Sequence, residues 1–293
     1  MFRVLIKKAE RGLLFKDGNY VKCLQPGKYL FNPFKNYSLI KADVNLPFAP
    51  EGKELNLFLE DEELKKELTI VDVRDHELAL HLEDGKLVDV LTAGRYAFWN
   101  VLKKHEFIVI DKRNPEIDEI IDVAWLNHPL LYEHIVEFHV KGHEKGVLFF
   151  DHKFQKVLEP GRYFFWNGPV KINVECVDLR QQQIEVTGQE IMTKDRIYLR
   201  LNFICQYRVI DPLKVLQYKD FHEQIYILLQ LVLREYVGTL KLDELLNKKR
   251  EVSQFVLKEL KDKEAEFGVE FNYAGLRDVI LPGDIKEFLN TVL

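Results

Sequence analysis

Short apolar stretches separated by turn residues run through the first half of the chain, a pattern typical of β-strands. An apolar run at residues 12–15 leads into Asp17-Gly18, a pair that tolerates the positive φ of a tight turn. A second strand follows at residues 20–24, and a further turn leads to a third strand around Tyr29. The pattern therefore predicts a β-hairpin with a returning strand.

This unit recurs twice more along the chain, at a constant spacing of 67 residues and without gaps. The aligned segments are residues 27–31, 94–98 and 161–165, which read GKYLF, GRYAF and GRYFF. The same spacing relates three further sets, namely Asp17, Asp84 and Asp151; Leu24, Leu91 and Leu158; and Glu10, Glu77 and Glu144. We therefore interpret the region as three copies of one hairpin-rich unit.

Two positions in this unit carry specific backbone expectations. The glycine that opens each aligned segment, at residue 27, 94 or 161, is expected at a turn position with positive φ. The third copy has His152 where the first two copies have glycine. We therefore expect the turn of the third copy to be looser or of another type.

The segments between the copies differ in polarity. Residues 51–67 are rich in charged side chains and are expected to form an exposed loop or a short helix. Residues 113–134 are less polar, and Trp125, Leu130 and Leu131 give that segment side chains to bury.

After Trp166 the pattern changes. Residues 177–186 alternate as a strand, residues 188–195 are expected to form a turn, and residues 196–209 alternate as a long strand. This long strand ends at an Asp-Pro pair.

Helical periodicity follows. Apolar residues recur at helical spacing over residues 219–237 and again over 242–267, so two long helices are predicted. Gly268 is a natural C-cap for the second helix. Strands at residues 269–271 and 276–281 then rejoin the sheet. The predicted fold class is α+β, with three hairpin-rich repeats ahead of a part that contains two long helices.

Charge and cysteine content narrow the class of protein. Lys and Arg number 42 against 47 Asp and Glu, a formal net charge of -5, which argues against a broad nucleic-acid surface. Cys23, Cys176 and Cys205 form no CxxC pair and are interpreted as buried thiols in a reducing compartment. The sequence contains no signal peptide and no run of the ~20 apolar residues that a spanning helix needs. A cytoplasmic protein, soluble or at most seated on a membrane, is expected.

The histidines offer a superficial metal constellation. His134, His139 and His143 lie among acidic residues, which fits either a metal site or surface positions at a strand edge. His143 occupies the repeat position of His76, whereas the first copy has alanine there. A ligand needed for chemistry would not be distributed in this way, so the strand-edge interpretation is favoured.

Other patterns for catalysis are missing from the sequence. The GxSxG, P-loop and HExxH motifs are absent, and Ser38 and Ser253 are the only serines. Asp278 and Asp284 flank a Leu-Pro-Gly turn, where carboxylates fit helix capping. The lysines of the second long helix fit a solvated face better than an anionic-lipid site. We therefore expect a protein that is not an enzyme, with no catalytic, cofactor-binding or metal-binding residues.

Several segments in order carry a resemblance to a known family. Residues 177–195, the YRVIDP segment at 207–212 and the AGLRDVILPG segment at 274–283 resemble the band 7 domain of the stomatin/prohibitin/flotillin superfamily, nearest its slipin branch. The third hairpin, residues 144–163, resembles the opening motif of that family. The resemblance covers about residues 142–293.

The resemblance divides the chain into four parts. These are β-rich repeat 1 (1–67), β-rich repeat 2 (68–141), β-rich repeat 3 that opens the band 7 domain (142–180), and the α+β part of that domain (181–293). It implies a non-enzymatic, self-associating scaffold that organises membrane microdomains or regulates membrane proteases or channels. The implied partners are further copies of the chain, membrane lipids, and a membrane protease or channel. The implied location is cytoplasmic and peripheral on the inner face of the cell membrane, and no nucleic-acid partner is expected.

Two elements common in related proteins are not found in the sequence. Relatives usually begin with a membrane-inserting apolar segment and continue beyond the LPGD motif at 281–284 into a long coiled coil. We expect either that these elements are absent or that the chain is part of a longer protein. The second hypothesis for its function is therefore a soluble ligand- or peptide-binding module derived from the same fold.

Overall fold

The fold is rich in strands and contains few helices. The structure, a computed structural model, describes residues 2–32, 34–50 and 52–283. Within these residues the strands are β1 (Phe2–Ile6), β2 (Glu10–Lys16), β3 (Asn19–Leu24), β4 (Gly27–Phe31), β5 (Tyr37–Asp43), β6 (Leu68–Val73), β7 (Glu77–Glu83), β8 (Lys86–Leu91), β9 (Gly94–Trp99), β10 (His105–Asp111), β11 (Ile135–Val140), β12 (Glu144–Phe150), β13 (Lys153–Leu158), β14 (Gly161–Trp166), β15 (Ile172–Asp178), β16 (Gln182–Met192), β17 (Tyr198–Val209) and β18 (Val269–Ile280). The helices are α1 (Glu62–Lys66), α2 (Pro212–Val215), α3 (Phe221–Val237), α4 (Leu242–Asn247), α5 (Lys249–Lys261) and α6 (Glu264–Phe267). The α+β class is confirmed, with α3 and α5 as its two long helices.

A five-strand arrangement occurs three times along the chain. In the first segment β1 pairs with β4, while β2 lies between β3 and β5 in a three-stranded sheet. Strands β6 to β10, and then β11 to β15, show the same pairing. The predicted returning strand therefore does not extend the hairpin. Strand β5 occupies the remaining edge of β2, and strand β4 pairs with β1, the strand that precedes the hairpin.

Tight turns with positive φ join the second and third strands of each segment. The φ values are 50° at Asp17, 48° at Asp84, 47° at Asp151, 83° at Gly18, 77° at Gly85 and 64° at His152. Two successive positive values are typical of a type I′ turn, whose twist matches that of the flanking strands. The expectation of a different turn at His152 is therefore wrong, because the hairpin imposes the left-handed conformation even on histidine.

The glycine that opens the fourth strand of each segment has another role than the one predicted. Gly27 and Gly161 lie outside the positive-φ region, and only Gly94 has a positive value, 153°. Beside Gly27 and Gly161, a tyrosine ring two residues further on lies 3.4 Å and 3.7 Å from where a Cβ would stand. The hydroxyl of Tyr29 donates to the carbonyl of Gln25, and the corresponding tyrosines make the same i to i−4 bond. These glycines accommodate a tyrosine ring rather than a left-handed turn.

The two connecting segments contribute to the core. Residues 52–67 contain a short 3₁₀ turn (Leu55–Leu57) and α1, but they are not simply exposed, since Phe58 and Leu64 are buried. The side chain of Asp61 caps α1 by accepting from two backbone N–H groups of its first turn. In the 113–134 segment Leu131 is fully buried.

The last part of the chain is a three-stranded antiparallel sheet in the order β16–β17–β18, with α3 and α5 packed on one face. Alternate residues of β17 are buried beneath the helices, because strand side chains point to opposite faces. The core includes Leu201, Phe203, Leu229, Leu233, Val252 and Val256. Tyr236 of α3 and Phe255 of α5 stack with ring centroids 4.0 Å apart, which fixes the two helices together.

Several predicted strand boundaries in this part are wrong. The predicted strand at 177–186 is two strands, since β15 pairs with β12 and the chain then moves to a different sheet as β16. The predicted turn at 188–195 is strand up to Met192, because Gly188, with φ 61°, sits in a bulge rather than in a turn. The two predicted strands after residue 268 are the single strand β18, in which two register shifts absorb the irregularity.

The helix predictions are confirmed for the first helix and corrected for the second. Helix α3 begins at Phe221, where the side chain of Asp220 accepts from the N–H of Glu223. The stretch 242–267 is three helices rather than one, and the first interruption lies at Lys248, whose backbone (φ −109°, ψ 30°) departs from helical values. Gly268 ends the last of them with φ 69°, as predicted for a C-cap.

The chain forms two compact units. The first comprises residues 1–137 and 164–171, and the second comprises 138–163 and 172–293. The boundary passes through β11 and β14, so the third five-strand segment contributes to both units.

Candidate interaction surface

The β16–β17–β18 sheet of the second unit has one face that α3 and α5 do not cover. We call this the open face. Its side chains alternate with the buried ones along β17, and residues 198, 200, 202 and 208 point outward. Cross-strand partners on β16 and β18 share the same face, because paired residues of antiparallel strands point in the same direction.

Most of the open face is a ladder of charged and polar pairs. Arg200 reaches Glu190 at 2.7 Å. Arg277 reaches Glu185 at 2.6 Å, and Arg208 pairs with Glu270. Such exposed pairs contribute only about 0–1 kcal/mol each to the stability of the fold.

One end of the open face is apolar. Met192, Tyr198 and Ile280 are 44%, 65% and 49% exposed, and we call these three residues the apolar end. Met192 is the cross-strand partner of Tyr198, and Ile280 is the partner of Arg200, which places all three on adjacent strands. A hollow of about 320 Å³ lies beside Tyr198 and Ile280, and its lining is completed by Glu190, Leu199, Arg200, Leu281 and Pro282.

This combination is suited to contact with another surface. Apolar and tyrosine side chains at the centre with paired charges at the edge resemble the composition of protein interfaces, in which Tyr, Met and Arg are enriched. The Arg200–Glu190 pair borders the hollow and can keep its hydrogen bonds while the apolar side chains are covered.

The three histidines considered from sequence lie in different surroundings. His134 is half-buried and lines a shallow hollow with Asp75, His76 and Lys112 in the first unit. Its burial lowers the pKa of the His134 imidazole. His139 is exposed on β11, and His143 lies 3.7 Å from Glu144 in the second unit.

The other residues considered for chemistry are placed as follows. The Asp278 carboxylate accepts from the side chain of Asn202 on the open face. Asp284 and the helix expected after it lie outside the described residues. Lys249, Lys258 and Lys261 are exposed on the outer side of α5, the solvated arrangement that was favoured.

The cysteines differ in exposure. Cys205 is fully buried, and burial raises the pKa of its thiol to about 12. Cys23 is partly buried, and burial likewise raises the pKa of its thiol to about 12. Cys176 is exposed, contrary to the prediction, and its cross-strand partner is Gly146.

Sequence reasoning missed two groups of residues. For the apolar end, the available signal was Tyr198, an aromatic residue at the outward phase of an alternating strand. The second group is His81, Glu83 and His105, which the fold of the first unit brings together. The signal there was that the second repeat has a histidine at position 81 where the others have Leu14 and Leu148.

No helix within residues 2–32, 34–50 and 52–283 is both long enough and apolar enough to cross a membrane.

Comparison with known proteins relates the C-terminal half of the chain to a known family. The family described as "SPFH domain / Band 7 family" matches residues 138–293. An uncharacterised protein of Archaeoglobus fulgidus is 32% identical over 152 residues, which are 51% of this chain and 60% of that protein. A stomatin homologue of Pyrococcus horikoshii is 30% identical over 149 residues, 50% of this chain and 55% of the homologue. Mouse stomatin is 26% identical over 153 residues, 50% of this chain and 52% of stomatin. The matched region thus spans between half and three-fifths of these relatives.

Proposed function

Because the chain belongs to the SPFH domain/Band 7 family, we propose that it is a non-enzymatic scaffold that associates with copies of itself. Its proposed role is to organise membrane microdomains or to regulate membrane proteases or channels, from a peripheral position on the cytoplasmic face of the cell membrane. Within the superfamily we place it nearest the slipin branch.

This proposal rests on the agreement between the start of the family match and the start of the second compact unit. The match begins at residue 138, and the second compact unit also begins there. That unit contains the open face and its apolar end. The relatives of this chain include mouse stomatin and stomatin homologues of two Pyrococcus species.

We propose that the apolar end is the contact between copies. Tyr198 can cover the exposed side chains of a neighbouring copy, while the adjacent Arg200–Glu190 pair stays at the rim. The other charged pairs of the open face then limit which surfaces can approach, since an unmatched charge at an interface is unfavourable.

We also propose that the three five-strand segments are copies of one duplicated unit. The proposal is supported by the common pairing of their strands and by the type I′ turns at one spacing. A register shift at Leu14/Phe15, His81/Leu82 and Leu148/Phe149 supports it further. The domains that we propose are therefore β-rich repeat 1 (1–67), β-rich repeat 2 (68–141), β-rich repeat 3 (142–180) and the α+β part (181–293).

Sedimentation velocity on the full chain over a wide concentration range tests self-association. We expect the weight-average sedimentation coefficient to rise with concentration as copies associate. A species that stays strictly monomeric at every concentration would count heavily against the scaffold.

The second candidate function is a soluble ligand- or peptide-binding module, favoured by the hollow at the apolar end. Co-sedimentation with phosphatidylcholine vesicles, with and without phosphatidylserine, separates the two functions. Firm binding to either vesicle favours the membrane scaffold, whereas no binding at any salt concentration favours the soluble module.

A further inference from the structure

Two histidines and a glutamate converge on one face of the β10–β7–β8 sheet in the first unit. His105 on β10 is the cross-strand partner of Glu83 on β7, and His81 lies two residues before Glu83 on the same strand. Residues two apart on a strand point to the same face, so all three side chains share it. One ligand atom from each lies within 4.8 Å of the others.

Hydrogen bonds orient the imidazoles. The Nε2 of His105 is 3.1 Å from the carbonyl oxygen of Trp99, to which it donates as an N–H group. The Nδ1 of His105 is then an acceptor, and it lies 2.8 Å from the Nε2 of His81. A backbone carbonyl that holds one imidazole nitrogen and leaves the other free to ligate is the arrangement found around protein metal ions.

The surroundings hold these groups beside open space. His81 is only 2% exposed, and its ring packs against Phe98 and Phe107 with centroids 4.3 Å and 4.9 Å away. A cavity of about 210 Å³ adjoins the cluster. Its lining includes both histidines and Glu83, whose carboxylate is 2.6 Å from the Nζ of Lys103.

Packing alone does not require a histidine at this place. The positions that correspond to residue 81 in the other two segments are Leu14 and Leu148, and both are buried. A leucine therefore fills the same site in the same strand arrangement, so the fold itself does not require the buried imidazole of His81.

We propose that His81, His105 and Glu83 form a binding site for a divalent transition metal ion, with Zn²⁺ as its foremost occupant. Two imidazoles and one carboxylate are a donor set that Zn²⁺ takes readily, with a fourth position for water. With Zn–N bonds of about 2.0–2.1 Å and tetrahedral angles, the two nitrogens stand about 3.3 Å apart. The distance between His81 Nε2 and His105 Nδ1 therefore has to increase by only about half an ångström from its hydrogen-bonded value of 2.8 Å.

Binding has a defined balance of protons and ion pairs. As the Nε2 of His81 binds the metal, the proton that it donated to His105 is replaced by one on Nδ1, so the ring stays neutral and the imidazoles release no net proton. Glu83 exchanges Lys103 for the metal, and Lys103 becomes solvated. The ring of His105 keeps its bond to the carbonyl of Trp99.

The test is calorimetric titration of Zn²⁺ into the full chain after treatment with a chelator, in two buffers of different ionisation enthalpy. We expect one ion per chain and no net proton release from the imidazoles, since both bind as neutral rings. His81→Leu should weaken binding by at least ~100-fold, since loss even of an outer partner costs 10–100-fold. Glu83→Gln should weaken it by ~10-fold or more. His139→Ala, which removes an exposed histidine elsewhere, should leave binding unchanged.

A further measurement, on the Glu83→Gln variant, keeps the proposal open to refutation if His81→Leu folds poorly. Glu83→Gln leaves the imidazole pair in place, and Co²⁺ should give the visible absorption of a tetrahedral site in the wild type but not in this variant. A wild type that binds no Zn²⁺ overturns the proposal. It is also overturned if His81→Leu and Glu83→Gln bind as tightly as the wild type, which would mean adventitious surface binding only.

Discussion

At the scale of single residues, the type I′ turns set a demanding backbone requirement. The first turn position is aspartate in all three segments, and the second is glycine in two of them. His152 adopts φ 64° in the third, a conformation that costs a residue with a side chain about 1–2 kcal/mol. The Asp-Gly signal could be read from the sequence, whereas the turn around His152 could not, because the strand pairing that enforces it is not local.

Exchanging the turn residues should move stability in opposite directions. His152→Gly relieves the left-handed strain and should raise the free energy of unfolding by about 0.5–1 kcal/mol. Gly85→His introduces that strain at φ 77° and should lower it by about 1 kcal/mol. Urea denaturation of each variant measures both effects. Equal stabilities for both variants and the wild type would contradict the assignment of strain.

The carboxyl of Asp178 should titrate far below a normal aspartate. Side-chain hydrogen bonds from Arg180, helped by the Arg180 backbone N–H, lower the pKa of Asp178 to about 2. A lowered pKa in the folded state stabilises the protein above the unfolded value of about 3.9, and this stabilisation is lost as pH falls towards 2.

A carboxyl-carbon NMR titration measures this shift. Arg180→Ala should return the pKa of Asp178 towards its ordinary value. Arg113→Ala is the matched control, because Arg113 makes the same contacts with Asp111 and lowers the pKa of that carboxyl to about 2. Each variant should move only its own aspartate, and a shift of both would refute the local cause.

At the scale of elements, hydrophobic periodicity locates the helices but does not show their interruptions. The apolar residues Leu245, Val252, Val256 and Leu260 keep helical spacing across Lys248, so one helix and two helices give the same pattern. Strand β18 shows the converse case. Its bulges lie opposite β17, and the sequence of β18 alone does not reveal that pairing.

Gly268 lies where the end of α6, the end of β17 and the start of β18 meet. We expect substitution of this glycine to lower stability more than substitution of Gly142 or Gly188. It has φ 69°, and a Cβ there would lie 2.8 Å from Lys214 Cβ and 2.9 Å from the carbonyl oxygen of Asp211. Its own carbonyl accepts from the N–H groups of Ile210 and Asp211, so it fixes the end of β17 against the start of β18.

Three glycine substitutions separate conformation from crowding. Gly142→Ala has open space around it and no positive φ, so it should change stability by less than about 0.5 kcal/mol. Gly188→Ala, with φ 61° and open space, should cost about 1 kcal/mol. Gly268→Ala adds the clash and should cost about 2–4 kcal/mol. Thermal or urea denaturation ranks them, and equal costs for Gly188→Ala and Gly268→Ala would contradict the role of crowding.

At the scale of the whole molecule, motif order was sufficient to locate the family region. The predicted start near residue 142 lies close to the observed match from residue 138. The apolar end could not be located in the same way, because Met192, Tyr198 and Ile280 come from three strands whose register is a property of the folded sheet. The histidine cluster was missed for the same reason, since His105 meets His81 only through the pairing of β10 with β7.

The most direct test of the scaffold is sedimentation velocity on matched tyrosine variants of the full chain. Tyr198 in the apolar end and Tyr132 in the first unit are 65% and 67% exposed, so replacing either by glutamate changes a surface side chain of equal size and accessibility. We expect Tyr198→Glu to weaken self-association at least ~10-fold, since it places a charge at the centre of the contact, and Tyr132→Glu to behave like the wild type. A wild type that sediments as a monomer throughout, or equal association by all three proteins, would contradict self-association through the apolar end.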